Sequence, residues 1–121
     1  MKNPRKLIRD KLQWLIPTEE LSHETDIDSL NECYARKSIE ETLEIMESNC
    51  KDVSEFGDLM CLIECWAEKN GISRLELAEE IDNKKNRKGG FSDVVLVNMN
   101  PHNKSNALYL NDLTEVNKLF S

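Results

Sequence analysis

The sequence predicts an all-α fold, a helical bundle of about four helices followed by a short extended C-terminal segment. Three observations carry that expectation. Pro and Gly are scarce, at 3 and 4 in 121 residues, so the chain has few breaks. Apolar residues recur at helical spacing over two long stretches. Helix-start and helix-stop residues fall where those stretches begin and end. A chain of this length supports one domain with a modest core, spanning residues 1–121.

The first helix is expected around Arg5 to Ile16, stopped by Pro17. A polar stretch, TEELSHETDID, leads into a long second helix from near Asp28 or Ser29 to about Asn49. Asp26, Asp28 and Ser29 all suit its N-cap, because a short side-chain oxygen can accept from the free N–H groups of a first turn. NCKDVS is a tight polar connection, with Asp52 or Ser54 capping a third helix that runs to about Asn70. Gly71 stands at the C′ position, where a left-handed residue ends a helix. Ser73 with Glu76 spells a capping box and opens a fourth helix that ends at Gly89-Gly90. Lys84, Lys85, Arg87 and Lys88 then sit at the negative end of its dipole. Beyond it, DVVLVNM is β-branched and reads as extended, NPHNKSN as a loop, and LNDLTEVNKLF as a small C-terminal helix.

Composition narrows the function classes. Hydrophobic residues make up 39% and charged residues 32%, which is globular and not disordered. The net charge of −7 argues against a nucleic-acid partner, whose phosphates need a basic surface, and is compatible with divalent cations. No apolar run reaches the length of a membrane span, so no membrane partner is expected. The opening MKNPRKLIRDKLQWLIP has neither a continuous apolar stretch nor a small-residue cleavage site, so no secretory signal is expected there. Cys33, Cys50, Cys61 and Cys65 lack the close CxxC pairing of a zinc site, and a reducing cytoplasm is their simplest home. Cys61 and Cys65 lie one helical turn apart, yet buried free cysteine is the ordinary reading. His23 and His102 fall in polar connections and read as surface residues. Trp14 and Trp66 read as core or interface.

The informative stretch is Ile39 to Met60, where seven acidic side chains stand among Leu, Ile, Met and Phe. At about 100° per residue, the third helix gathers Phe56, Leu59, Met60, Leu62, Ile63, Trp66 and Ala67 on one arc. Glu55 lies inside that arc and Asp58 at its edge. On the second helix, Ala35, Ile39, Leu43 and Met46 form one apolar stripe. Leu30, Tyr34 and Ile45 form another on the opposite side, with Glu41 and Glu44 within it. A helix apolar on two sides is sandwiched, within a bundle or between subunits. Glu41 and Glu44 are three residues apart, as are Glu55 and Asp58, and that spacing puts each pair on one helix face. A short connection makes the two helices antiparallel neighbours. Four carboxylates would then meet near one point, which is costly unless a hard divalent cation such as Mg²⁺ neutralises them. The plainer alternative is that Glu44 pairs with a lysine while Glu55 complements the helix dipole.

These residues resemble a known signature. EETLE (Glu40 to Glu44) followed by EFGD (Glu55 to Asp58) is similar to the EExxE…ExxD pattern of the MazG-like, all-α NTP pyrophosphohydrolases. KLIRDKL (Lys6 to Leu12) resembles the KLVRDKIP-type opening of one branch, and KKNRKGGFSDVVLV (Lys84 to Val97) its KKxxRGGF close. The similarity covers about residues 6–97. Leu12-Gln13 stands where Ile-Pro is usual, Lys88 replaces an Arg, and ten residues from Ile45 to Ser54 make a short gap between the acidic motifs. The resemblance implies a bundle that assembles as a homodimer or homotetramer. It implies Mg²⁺-dependent hydrolysis of a nucleoside triphosphate to the monophosphate and pyrophosphate, with Mn²⁺ as a substitute ion. Metal binding carries over to Glu41, Glu44, Glu55 and Asp58, with Glu40 a base or supporting residue beside Glu41 and Glu44.

Basic side chains should grip the phosphates of a nucleotide substrate, and Arg9, Lys11, Lys37, Lys84, Arg87 and Lys88 are the candidates. For those near the end of the fourth helix, dipole complementarity is an equal account. The main alternative from another class is a degenerate nucleotide-binding or helical dimerisation module.

Overall fold

The computed structural model describes residues 5–96 and Lys118. Three α-helices follow two short 3₁₀ helices, Asp10–Leu15 and Thr18–Glu20. They are α1 (Ile27–Glu47), α2 (Val53–Lys69) and α3 (Arg74–Lys88). No strand occurs among the described residues, and none of their helices is long and apolar enough to cross a membrane. The fold is therefore the expected all-α one.

The helix ends are written in side chains. Asp26 caps α1 by accepting from the Ser29 N–H at 3.0 Å, which decides among the three candidate caps. Asp52 caps α2, accepting from the Ser54 N–H at 2.9 Å. Ser73 and Glu76 form the capping box of α3 in both directions. Gly71, at φ 80°, ends α2 in a Schellman turn: Gly71 N–H reaches Glu68 O and Ile72 N–H reaches Ala67 O. The same turn ends α1 without glycine. Asn49 and Cys50 are both left-handed, at φ 58° and 60°, and their N–H groups reach Met46 O and Ile45 O. Two consecutive left-handed residues reverse the chain within Ser48–Asp52.

The N-terminal segment differs from expectation. Arg5–Arg9 has no regular structure and only Asp10–Leu15 is helical, as 3₁₀. The physical reason is local: no side chain caps this start, and so short a helix does not hold alone. Its cations bind distant acids instead, Arg5 on Glu24, Lys6 on Glu40 and Arg9 on Asp58. The extended reading of DVVLVNM is described only to Leu96, where the chain has no regular structure. The expected C-terminal helix lies outside the described residues apart from Lys118, which is helical.

α1 and α2 pack as an antiparallel hairpin, and α3 packs on α2. Two side-chain groups record the register. Near the start of α1, Asn31 Oδ1 accepts from Trp66 Nε1 at 3.0 Å and from Asn70 Nδ2 at 2.7 Å. Trp66 also stacks on Tyr34, with ring centroids 6.2 Å apart. At the other end, Glu41 faces Glu55 and Asp58.

The buried side chains among the described residues are Tyr34, Ile45 and Glu41, all on one face of α1. The opposite stripe of α1 is uncovered: Ile39, Leu43 and Met46 are 43%, 44% and 54% exposed. On α2, Phe56, Met60 and Ile63 are exposed as well. Each stripe stands well over a right angle from its helix's packed face, in the same rotational sense. Antiparallel packing therefore brings both to one side of the hairpin, while the N-terminal segment lies on the other.

Candidate metal centre

Glu41 comes from the middle of α1, and Glu55 and Asp58 from the first two turns of α2. Packing of the hairpin brings one oxygen of each within 4.8 Å of the others. Glu41 is 6% exposed, and its Oε2 is buried with no hydrogen-bond partner. Glu55 Oε2 is likewise buried and unpartnered. An orphaned buried acceptor costs about 1–3 kcal/mol, and unit charges about 5 Å apart repel by about 3 kcal/mol at an effective dielectric of about 20. This is an expensive place to put three carboxylates.

The surrounding cations offset part of that cost. Lys37 Nζ lies 3.3 Å from Glu41 Oε1 and 3.3 Å from Glu40 Oε2. Lys6 Nζ holds Glu40 Oε1 at 2.7 Å. Arg9 Nη2 donates to Asp58 Oδ1. Glu44 stands close enough to Glu41 to act on its charge. Five carboxylates, Glu40, Glu41, Glu44, Glu55 and Asp58, thus face three cations, which leaves two negative charges uncompensated. The two orphaned oxygens, the all-oxygen donor set and the residual charge all suit one hard divalent cation.

Environment splits the adjacent glutamates. Burial pushes the Glu41 carboxyl above the usual range, the Lys37 ammonium opposes that, and the neighbouring Glu44 charge adds to it. Glu40 moves the other way, because its hydrogen bond with Lys6 outweighs burial and Lys37 adds to it. Glu40 is thus a fixed anion that bridges two lysines at the edge of the site.

Beside the carboxylates opens a cleft of ≈ 140 Å³. Leu7, Ile8, Tyr34 and Leu62 form its apolar wall, and Arg9, Asp10, Lys37, Glu41 and Asp58 its polar side. Cys61 and Cys65, one turn apart on α2, also line it. Burial, and then Cys61, push the Cys65 thiol up, so it favours the neutral form.

The structure brings together Glu41, Glu55, Asp58, Arg9 and Lys37 of the expected residues. Glu44 lies next to Glu41 but outside the three-oxygen group, and Glu40 faces the lysines. Lys11, Lys84, Arg87 and Lys88 are exposed and do not line the cleft, and Arg87 pairs with Glu80 on its own helix at 3.5 Å. Sequence reasoning missed Lys6 as a partner of Glu40, and Leu7, Ile8 and Tyr34 as cleft wall. For Lys6, Leu7 and Ile8 the only signal was the KLIRDKL motif, which names residues without a contact. For Cys61 and Cys65 the signal was present: they follow Asp58 by three and seven residues, the same helix face.

No family model, no curated protein and no solved structure matches the chain.

Proposed function

We propose that the protein is a Mg²⁺-dependent nucleoside triphosphate pyrophosphohydrolase, which cleaves a nucleotide to the monophosphate and pyrophosphate. The observation that carries the reading is that Glu41 and Glu55 each bury an unpartnered carboxylate oxygen, while one oxygen of each lies within 4.8 Å of one from Asp58. Such an all-oxygen set suits a hard divalent cation. The resemblance of EETLE and EFGD to the MazG-like signature supports the choice of reaction.

Glu41, Glu55 and Asp58 would hold the ion, with Glu44 completing the set from beside Glu41. A divalent cation there supplies charge neutralisation and polarises phosphate oxygens. Lys37, fixed between Glu40 and Glu41, and Arg9 at the cleft would donate to the phosphates. Where Glu44 does not itself bind the ion, its partly open position suits it to take a proton from the attacking water, whereas the lysines on Glu40 lower its pKa and weaken it as a base. The apolar wall with Tyr34 would take the base or sugar. The uncovered stripes of α1 and α2 suit assembly with a second copy, as a homodimer or homotetramer.

A second reading has its own observation. Arg9 on Asp58 and Lys37 on Glu41 already neutralise two of the three carboxylates, as a degenerate nucleotide-binding module would arrange. One assay separates the two. Pyrophosphate release is followed with a panel of NTPs and dNTPs in Mg²⁺, in Mn²⁺ and in EDTA. The enzyme reading requires release that EDTA and Asp58→Ala both abolish, with helical content intact. Nucleotide binding without any release would establish the second reading.

A further inference from the structure

Among the described residues two cations pair with the three-oxygen group, Lys37 and Arg9, and of these only Arg9 is not built into a helix. It precedes the first 3₁₀ helix, in a segment without regular structure, and its side chain is 61% exposed. Lys37, by contrast, rises from the middle of α1, is 14% exposed and is held by two glutamates. Arg9 nevertheless donates to Asp58 Oδ1, and Asp58 is a member of the three-oxygen group. A guanidinium held on that carboxylate and a divalent cation coordinated by it repel one another and compete for its oxygens. The same side chain lines the cleft, where a phosphate would pass.

Resting on the reading of the cluster as a divalent-cation site, we infer that Arg9 is a tethered counter-ion with two stations. It holds Asp58 against a bare cation, and it turns to the phosphates when the carboxylates take a metal–nucleotide complex. The site is thereby biased toward metal and triphosphate together and away from metal alone. The asymmetry between the two cations makes this workable. Lys37 stays, keeping Glu41 paired, while Arg9 moves at the cost of one exposed ion pair. Its planar fork suits carboxylate and phosphate alike, so it changes partner without losing a kind of contact.

The experiment measures binding and not turnover. Mn²⁺ is titrated into the wild type, Arg9→Gln and Arg9→Lys by electron paramagnetic resonance, alone and with an α,β-methylene triphosphate. Helical circular dichroism checks each fold. For bare Mn²⁺, Arg9→Gln should bind about two- to fivefold more tightly than the wild type, the range that an exposed ion pair allows. With the analogue in place the order should reverse, Arg9→Gln holding the nucleotide about tenfold more weakly, since charged hydrogen bonds are lost. Arg9→Lys should resemble the wild type toward bare Mn²⁺. Unchanged or weaker Mn²⁺ binding by Arg9→Gln overturns the inference and leaves the metal site standing. Equal analogue affinity overturns the transfer to phosphate. Absence of Mn²⁺ binding in all three proteins brings down the metal reading itself, and this inference with it.

Discussion

Glu41 on α1 and Glu55 on α2 each bury one carboxylate oxygen that no donor reaches, at the point where the two helices close on each other. Neither oxygen is stranded by its own helix. The hairpin register creates the pair, fixed at the far end by Asn31 with Trp66 and Asn70. Stability given up at such a place is commonly recovered by a ligand. Saturating Mg²⁺ or Mn²⁺ should therefore raise the melting temperature, with about 2.7 kcal/mol gained at a hundredfold excess over Kd. Glu55→Gln should remove most of that shift while leaving the metal-free protein no less stable. Superimposable melts in Mg²⁺ and in EDTA would rule out the cation site.

Adjacent glutamates should respond to pH with opposite sign. The folded-state pKa of Glu41 is raised, so its contribution is fully present below the ordinary glutamate range and is lost as pH rises through the raised value. Glu41→Gln should accordingly be at least as stable as the wild type at neutral pH, the difference closing in acid. The pKa of Glu40 is lowered, so its contribution is present above the ordinary range and is lost as pH falls through the lowered value. Glu40→Gln should lose up to about 1 kcal/mol at neutral pH and converge on the wild type in acid. Urea unfolding at neutral pH and at a pH well below the ordinary glutamate range measures both, and parallel behaviour of the two variants would contradict the split.

The fold was legible where side chains act on their own helix. Caps at Asp26, Asp52 and Ser73, the Gly71 stop and the α3 capping box all follow from rules that span four residues. The pairing of Glu41 with Glu55 and Asp58 was legible too, because a five-residue connection leaves two helices little choice but to lie side by side. The N-terminal segment was not. A helix was expected from about Arg5 to the Pro17 stop, but the segment is held by ion pairs reaching Glu24, Glu40 and Asp58, and no local pattern encodes those. The same limit applied to Lys11, Lys84, Arg87 and Lys88: charge named them as phosphate partners, while only tertiary placement shows that they do not line the cleft.

Gly57 offers a clean test of local propensity beside the site. It lies inside α2, between Phe56 and Asp58, and a Cβ built there would meet nothing within 4 Å. Glycine in a helix interior costs about 0.5–1 kcal/mol relative to alanine. Gly57→Ala should raise stability by that amount in urea unfolding. A loss instead would mean that this backbone is approached by something, such as a second copy.

Asn31 carries a different cost. Its single Oδ1 serves both Trp66 Nε1 and Asn70 Nδ2. Asn31→Ala leaves the partly buried indole N–H without its acceptor and should destabilise by about 1–2 kcal/mol. Asn31→Asp keeps an acceptor and should recover much of that. Equal losses in the two variants would place the effect in α1 and not in the contact with Trp66.

The uncovered side of the hairpin sets the last expectation. Ile39, Leu43 and Met46 on α1 and Phe56, Met60 and Ile63 on α2 make one apolar face, across the hairpin from the segment that holds Arg9. So few side chains are buried among the described residues that the core they form is thin. Self-association through this face would supply the missing core and would press α1 onto α2 behind Glu41 and Glu55. Leu43→Glu combined with Met60→Glu places charge at the centre of the face without touching the carboxylates. Sedimentation velocity should then show a monomer where the wild type shows a dimer or tetramer, with a lower melting temperature. Monomeric wild type at micromolar concentration, or a variant that still associates, would remove this face as the interface.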